Sequence, residues 1–509
     1  MMQRRLCVLA LFLAVFSAAP AFGSTITVTN NSDSGPGSLR AAIAAAAPGD
    51  TINFNLTYPA TITLVSPLQI STNLTISGPG SSSLTISGNK TVSVLMVWGG
   101  ATVNISGVAI ANGNGFEGGG IYSLASTLTL ENVTLTNNSA PGYGGGIFNY
   151  AGTMTLDNCT VSANSASEYG GGIFNYGGTV IVSSSTVSGN QSAYDGGGIY
   201  NMGGTLNLTN STLSGNSAGI NGGAIWSSNY GAVTLTSVTF SGNSAPHGGG
   251  LSNYYYSGVT LKNAVLANST GGNCWSLGGT ATSNGYNLSD DSSCAGLLTA
   301  TTDRNNTAAG LDTNGLQDNG GPTKTVALLS TSPAIDAVPL SACTQSDGLT
   351  ALSTDQRGVT RPQGSACDIG AFELVEIADF PAFSAKLDVR PGSNGSFDLN
   401  STFTLASGSS GINPLTDAVQ LQVGPYQVTI PAGSFHQLAK GAKSGSYVYS
   451  GTIGGASLSV QIVPLGGNTY QFKASASPVD LSTLTNPVDI TVTIGKNTGT
   501  VSVYADLGS

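Results

Sequence analysis

Six glycine-rich blocks recur through the middle of this chain at a constant interval. Gly-Gly-Gly-Ile opens at Gly118, Gly144, Gly170 and Gly196, and continues as Gly222-Gly223-Ala224-Ile225 and Gly248-Gly249-Gly250-Leu251, each step being 26 residues. Every block leads into a short strand-like run such as Leu128-Thr129-Leu130 or Met154-Thr155-Leu156. Then follow Leu135-x-x-Asn138, Val161-x-x-Asn164, Val187-x-x-Asn190, Leu213-x-x-Asn216 and Phe240-x-x-Asn243. Self-similarity at a fixed period marks a stacked repeat. A unit of this length is too short for a propeller blade, and its apolar/polar alternation excludes paired helices. Three short strands joined by tight bends turn the chain once around, and the next coil lies about 4.8 Å above it. Residues 51–300 are therefore expected to form an all-β solenoid, a parallel β-helix of roughly nine or ten coils, the first few irregular.

In such a stack, sequence period becomes spatial column. Ile121, Ile147, Ile173, Ile199 and Ile225 must point inward, since a coil has no other apolar interior. One position on, the side chains flip outward. That places Tyr122, Phe148, Phe174, Tyr200 and Trp226 in an outward aromatic column beside Tyr150 and Tyr176. Two positions on, Asn149, Asn175, Asn201 and Asn253 return inward, where amides can bond to one another up the stack. Asn138, Asn164, Asn190, Asn216 and Asn243 are expected to form a second ladder at another bend. The glycine ahead of each block supplies the backbone angles of a sharp corner. Residues 24–50 are read as a helical cap over the open end. Ser38 is its N-cap, Leu39 with Ile43 its apolar face, and Pro48-Gly49 its end.

The chain ends add compartment. Arg4 and Arg5 precede an apolar run from Leu6 to Phe16, with Ala21 and Gly23 where a signal peptidase prefers small residues. Residues 1–23 read as a secretion signal cleaved before Ser24. No later segment reaches the roughly 18 apolar residues of a spanning helix, so no transmembrane segment is expected once the signal is removed. Cys7 goes with the signal, leaving five cysteines. In an oxidising compartment Cys274–Cys294 and Cys343–Cys367 are the natural local pairs, and Cys159, in the column of Val133, is a small buried hydrophobe. No zinc spacing exists, because CxxC is absent and His247 and His436 are the two histidines. With 15 basic and 25 acidic residues and a net charge of −10, neither nucleic acid nor anionic lipid is an expected partner.

Several motifs resemble known families. Gly222-Gly223-Ala224-Ile225 followed by Phe240-Ser241-Gly242-Asn243 resembles the paired motifs of polymorphic outer membrane protein repeats, which implies a right-handed helix. The segment from Asp33 to Ile43 is similar to the cap of many bacterial surface β-helix proteins. The stretches Leu316–Pro322, Ser332–Asp336, Asp355–Gly358 and Cys367–Phe372 resemble a choice-of-anchor region, implying that 301–375 closes the helix. Members of the autotransporter kind end in a membrane barrel. This chain departs from them, because residues 380–509 are too few for one and Val503 to Ser509 lacks a terminal aromatic. After Phe380-Pro381 the period stops. Alternating runs at Lys386–Val389, Val419–Val423, Gln427–Ile430, Leu458–Ile462 and Val488–Ile494 predict a small antiparallel β-sandwich over 376–509.

Chemistry is sparse. Parallel β-helices also host pectin-lyase-like enzymes, which need carboxylates for Ca²⁺ and a basic residue to take the α-proton. From residue 91 to 261 there is no Lys or Arg, and the acidic residues there are Glu117, Glu131, Asp157, Glu168 and Asp195. Glu131 and Asp157 stand one period apart and could stack about 5 Å apart, the spacing of a hydrolase pair. Their column runs on as Ser183, Thr209 and Lys262, which reads more simply as an exposed polar column, or as a weak cation site. His247 shares a column with Glu117, Tyr143, Tyr169, Asp195 and Asn221 and reads as solvent-facing. Asp355 with Arg357, and Asp336, read as structural hydrogen-bonding groups. The aromatic column is the candidate ligand site: a flat strip for sugar rings or a protein, unless the rings pack on each other or under a loop. The expectation is a secreted or cell-surface structural and adhesive protein, without cofactor or metal, binding an extracellular glycan or surface protein. The alternative is a polysaccharide-active lyase or hydrolase.

Overall fold

The computed structural model describes residues 23–375, 378–406, 411–438 and 445–507, so the segment read as a secretion signal lies outside it except for Gly23. The chain divides into two compact units, one ending at Leu374 and the other beginning at Val375.

The first unit is the expected solenoid of about ten turns, built on three long parallel sheets. An eleven-stranded sheet runs from Thr25–Val28 to Thr280–Ser283, a nine-stranded sheet from Leu68–Ile70 to Cys274–Leu277, and a ten-stranded sheet from Ala60–Thr63 to Leu288–Ser289. Register follows the repeat: Ile121 pairs with Ile147, Ile147 with Ile173, Ile173 with Ile199 and Ile199 with Ile225. All five side chains are fully buried in one core that runs from Val28 to Leu298. Two differences from the expected three-strand coil stand out. Four coils carry a fourth, two-residue strand, the first being Ser139–Ala140. The eleven-stranded sheet also begins ahead of the helix, because Thr25–Val28 already pairs with Asp50–Phe54.

What bends the coil is a set of left-handed residues in register. Asn132, Asn158, Ser184, Asn210, Ser237 and Asn263 take φ between 45° and 54° at one corner, and the glycines opening each block take 59° to 67° at another. Small polar residues and glycine tolerate this region, so the corner is encoded locally. Inside, the predicted amide ladder from Asn138 to Asn243 forms throughout, and the one that begins at Asn149 runs to Asn201, with Ser227 standing between Asn201 and Asn253. Asn138, Asn164, Asn190 and Asn216 each donate from Nδ2 to the next Oδ1 at 2.9 to 3.0 Å, ending at Asn243. Asn149 and Asn175 do likewise at 2.9 and 2.8 Å.

Both ends of the tube are closed. Over the first coils lies the helix Leu39–Ala45, whose N-cap Ser38 accepts from the Ala41 amide; Leu39 and Ala42 are buried and Ile43 packs against the same core. At the other end Cys294, Leu297 and Leu298 plug the core, and the Cys274–Cys294 disulfide ties that plug to the last strand of the nine-stranded sheet. Cys159 is buried and unpaired, its thiol pushed up to about 12 by loss of solvent.

Residues after Leu311 fold back along the ten-stranded sheet. Gln356 sits at the join, donating to Thr186 Oγ1 and Thr323 Oγ1 and accepting from Thr212 Oγ1 at 2.6 Å. The Cys343–Cys367 disulfide and a buried charge cluster hold this segment. Arg361 meets Glu373 at 2.9 Å, both fully buried, while Arg357 meets Asp355 at 2.6 Å and stacks over Phe372. Asp355 also accepts from the Val359 and Glu373 amides, and Asp336 from the Ala366 amide. These carboxylates hold the chain's own backbone.

The second unit is a sandwich. One five-stranded sheet includes Val419–Val423 and Val488–Ile494; one six-stranded sheet includes Gly395–Thr404 and Thr469–Val479. Pairing is antiparallel except between Ala378–Asp379 and Asn497–Val503. Phe397, Phe403, Phe472 and Ile490 lie in the core between the sheets.

Candidate functional site

The outer face of the nine-stranded sheet carries the aromatic column in register, Tyr122 over Phe148, Phe174, Tyr200 and Trp226. The rings do point away from the tube interior. They are not an open strip, however: Phe148 and Phe174 are 4% exposed, Tyr200 5% and Trp226 8%, with Tyr122 half-buried. The reason lies in the loop before each glycine block. Tyr143, expected to face solvent with His247, leans over Phe148 and Phe174 at 6.3 and 5.3 Å, and Tyr169 covers Tyr200 at 5.4 Å. In that loop column Asp195 is buried and accepts from the Asn221 amide and side chain, while His247 is exposed and stacks on Trp275. Burial holds the Asp195 carboxyl above its ordinary range, and the Glu168 carboxylate beside Tyr143 does the same for that phenol.

The column's ring faces are also spent on each other. Tyr122 and Phe148 stack at 5.6 Å, Phe148 and Phe174 at 5.3 Å, and Tyr200 meets Trp226 at 4.4 Å. A second apolar layer results, so Phe174→Ala is expected to destabilise the solenoid by about 3 kcal/mol, through lost transfer energy and a cavity. Equilibrium urea unfolding checks this; a change within 0.5 kcal/mol, the usual range for surface positions, would return these rings to the surface.

What remains open is the edge of that layer. Tyr150 and Tyr176, 40% and 39% exposed, pair at 5.1 Å. With Met202 they wall a depression of about 420 Å³ whose floor is the corner column Ala151, Gly177, Gly203 and Asn229. Gly177 has nothing within 4 Å of where a β-carbon would stand, so the shelf is bare. Tyr150 and Tyr176 were visible in the sequence only as neighbours of the main column.

The weak catalytic candidates are brought side by side, Glu131 pairing with Asp157 across adjacent strands. Glu131 is exposed, and Asp157 accepts from Ser183 Oγ at 2.7 Å one coil on. The column continues through Ser183, Thr209 and Thr236 to Lys262, as a polar column would. Lys262 is buried and donates to Thr344 and to the Gln345 carbonyl. Among the described residues, no group of three or more His, Cys, Asp or Glu is placed to hold a metal.

With this geometry in hand, comparison with known proteins bears on the fold. The family described as right handed beta helix region matches residues 72–229, which fixes the hand of the coil. No curated protein sequence matches this chain. Among solved structures, one match is the enzymatically active domain of tailspike protein 4 of bacteriophage CBA120, at 12% identity and a TM-score of 0.27. That match spans 89% of this chain but 64% of the other, so this chain covers less than two thirds of its length.

Proposed function

We propose that this right-handed parallel β-helix protein works outside the cell as a structural and adhesive element, presenting an uncharged, tyrosine-edged face to a glycan or a protein. The observation that carries the reading is the shelf of Tyr150, Tyr176 and Met202 over bare corners, on a rigid sheet in a stretch of chain without a single Lys or Arg. Rigid presentation limits what ordering is lost on binding. The two disulfides support an oxidising compartment, and no helix among the described residues is long and apolar enough to cross a membrane.

A glycan array and a panel of purified extracellular proteins, probed with the full chain, test this. The Tyr150→Ser/Tyr176→Ser double variant is expected to bind at least about tenfold more weakly, as loss of an aromatic anchor does, with its melting temperature unchanged. Binding that persists in this variant removes the shelf from the reading.

A second reading, a polysaccharide-active lyase or hydrolase, is favoured by the pairing of Glu131 with Asp157 alone. Cleavage of a polysaccharide by the wild-type chain, abolished by Glu131→Gln, would establish it and displace the adhesive reading.

A further inference from the structure

The corner joining the nine- and eleven-stranded sheets has two residues in four successive coils: Ala125-Ser126, Ala151-Gly152, Gly177-Gly178 and Gly203-Gly204. In the next two coils it has three: Asn229-Tyr230-Gly231 and Tyr255-Tyr256-Ser257. The glycine blocks hide this insertion. Ser217 bridges to Ser244, 27 residues on, but Asn221 bridges to His247, 26 on, so the residue gained at the corner is given back in the following loop.

Each three-residue corner holds a tyrosine in left-handed backbone, Tyr230 at φ +66° and Tyr256 at +63°. Such a conformation costs a residue with a β-carbon roughly 1–2 kcal/mol, and a bulky residue there is an outlier. Burial does not offset the strain. The rings are 73% and 68% exposed, and stack on each other at 5.1 Å and 14°. Strain held at an exposed aromatic pair points to a ligand contact. The corner one coil below is Gly203-Gly204, which supplies no side chain to cover the other face of Tyr230. Asn229, next to Tyr230, lines the depression walled by Tyr176 and Met202.

We propose that Tyr230 and Tyr256 are the stacking platform for a neutral glycan, one pyranose seated on the free face of Tyr230 where a third stacked ring would otherwise stand. The glycan then continues along the shelf toward Tyr176. This rests on the binding-face reading above and names its ligand class. A pyranose chair turns a face of C–H bonds toward the electron-rich ring face, while its equatorial hydroxyls reach the Asn229 amide and the phenol hydroxyls at the rim. The ligand is neutral because residues 91–261 offer no cation to a uronate or sulfate. A protein partner fits less well, since a stable interface takes about 800 Å² from each side around an apolar centre. Here the exposed apolar side chains next to the pair are Tyr255 and Leu277, far short of such an area, and the corners below it are glycine, alanine and serine.

Calorimetric titration of the full chain with hexasaccharides of β-1,4-glucose, α-1,4-glucose and β-1,4-mannose, with hexagalacturonate as the charged counterpart, tests the proposal. At least one neutral hexasaccharide is expected to bind and hexagalacturonate is not. Tyr230→Ser/Tyr256→Ser is expected to weaken the neutral ligand at least about tenfold. Gly203→Asn sets a side chain in the sugar's place on a backbone that asparagine tolerates, as Asn229 does one coil on, and is expected to do the same. It guards against a double variant that fails to fold. Neutral-glycan affinity within twofold of wild type in both folded variants overturns the platform. If that affinity nevertheless falls in Tyr150→Ser/Tyr176→Ser, the binding-face reading stands and the platform alone is lost. Tighter binding of hexagalacturonate, or no binding of any hexasaccharide, also overturns the proposal.

Discussion

Asn190→Ala is expected to destabilise the β-helix by about 4 kcal/mol, more than any single apolar truncation in the same coil. The side chain is fully buried and makes four hydrogen bonds. Its Oδ1 accepts from the Asn164 amide at 3.0 Å and Asn164 Nδ2 at 2.9 Å, and its Nδ2 donates to Val161 O and Asn216 Oδ1, both at 2.9 Å. Alanine removes a hydrogen bond from each of these four partners in a space sealed from water, although Asn216 Oδ1 keeps the residue-190 amide and Asn164 Nδ2 keeps Leu135 O. Each unsatisfied group costs about 1–3 kcal/mol before relaxation, so the total exceeds what a lost methyl group could do. The variant's urea midpoint, read with the slope held fixed, measures it. A loss below 1 kcal/mol would show that the amide ladders accompany the stack without holding it.

The second large effect concerns the segment folded back on the ten-stranded sheet. Glu373→Gln is expected to cost about 3 kcal/mol: Oε1 accepts from the Gln363 amide and Oε2 from Arg361 Nη1 and the Asp368 amide, so a carboxamide nitrogen would face a buried donor. The same residue gives the wild type a pH dependence. Burial, with Asp368 adding like charge, pushes the Glu373 carboxyl up to about 7 against the pull of Arg361. A carboxyl raised in the folded state favours folding most while it can hold its proton. Its contribution is therefore complete below its unfolded value, near 4.5, and fades as pH rises through 7. Melting temperature should thus decline between pH 5 and 8 in the wild type. In Glu373→Gln, which cannot titrate, it should be flatter but lower throughout. An equal slope in both proteins would assign the dependence to other groups.

Most of the solenoid was legible because its physics is local and periodic. A left-handed corner, an inward isoleucine and an inward amide each recur at one offset, so a single coil states the rule for the rest. Legibility failed where burial depends on elements outside that rule. Phe148 and Phe174 were rightly placed on the outer side of the strand, but nothing in a strand pattern says that Tyr143, from the loop before, will lie across them. Variation in the column from Glu117 to His247 looked like solvent exposure, whereas in the middle coils it reflects rings and amides packing differently from rung to rung. Thr25–Val28 falls within the segment read as the cap, although its alternation matches Asp50–Phe54, with which it pairs. The tyrosine pair at 230 and 256 left one trace, a 27-residue step from Leu213 to Phe240 within an otherwise even series. Contacts of the 311–374 segment with Thr186 and Thr212 span well over a hundred residues and left no trace in the period.

The closed ladders carry a consequence for how this protein can vary. Each turn bonds to the turns beside it, and the residues that grip the returning segment begin at Ser184. Excision of residues 121–146 would therefore splice Gly120 onto Ile147 with every column still in line. A cut one residue longer or shorter would leave the spliced coil a residue out of step unless a corner absorbed the difference, as the corner at Tyr230 does. Reach is thus quantised: the distance at which the tyrosines stand from the capped end can change by whole storeys of about 4.8 Å and by nothing in between.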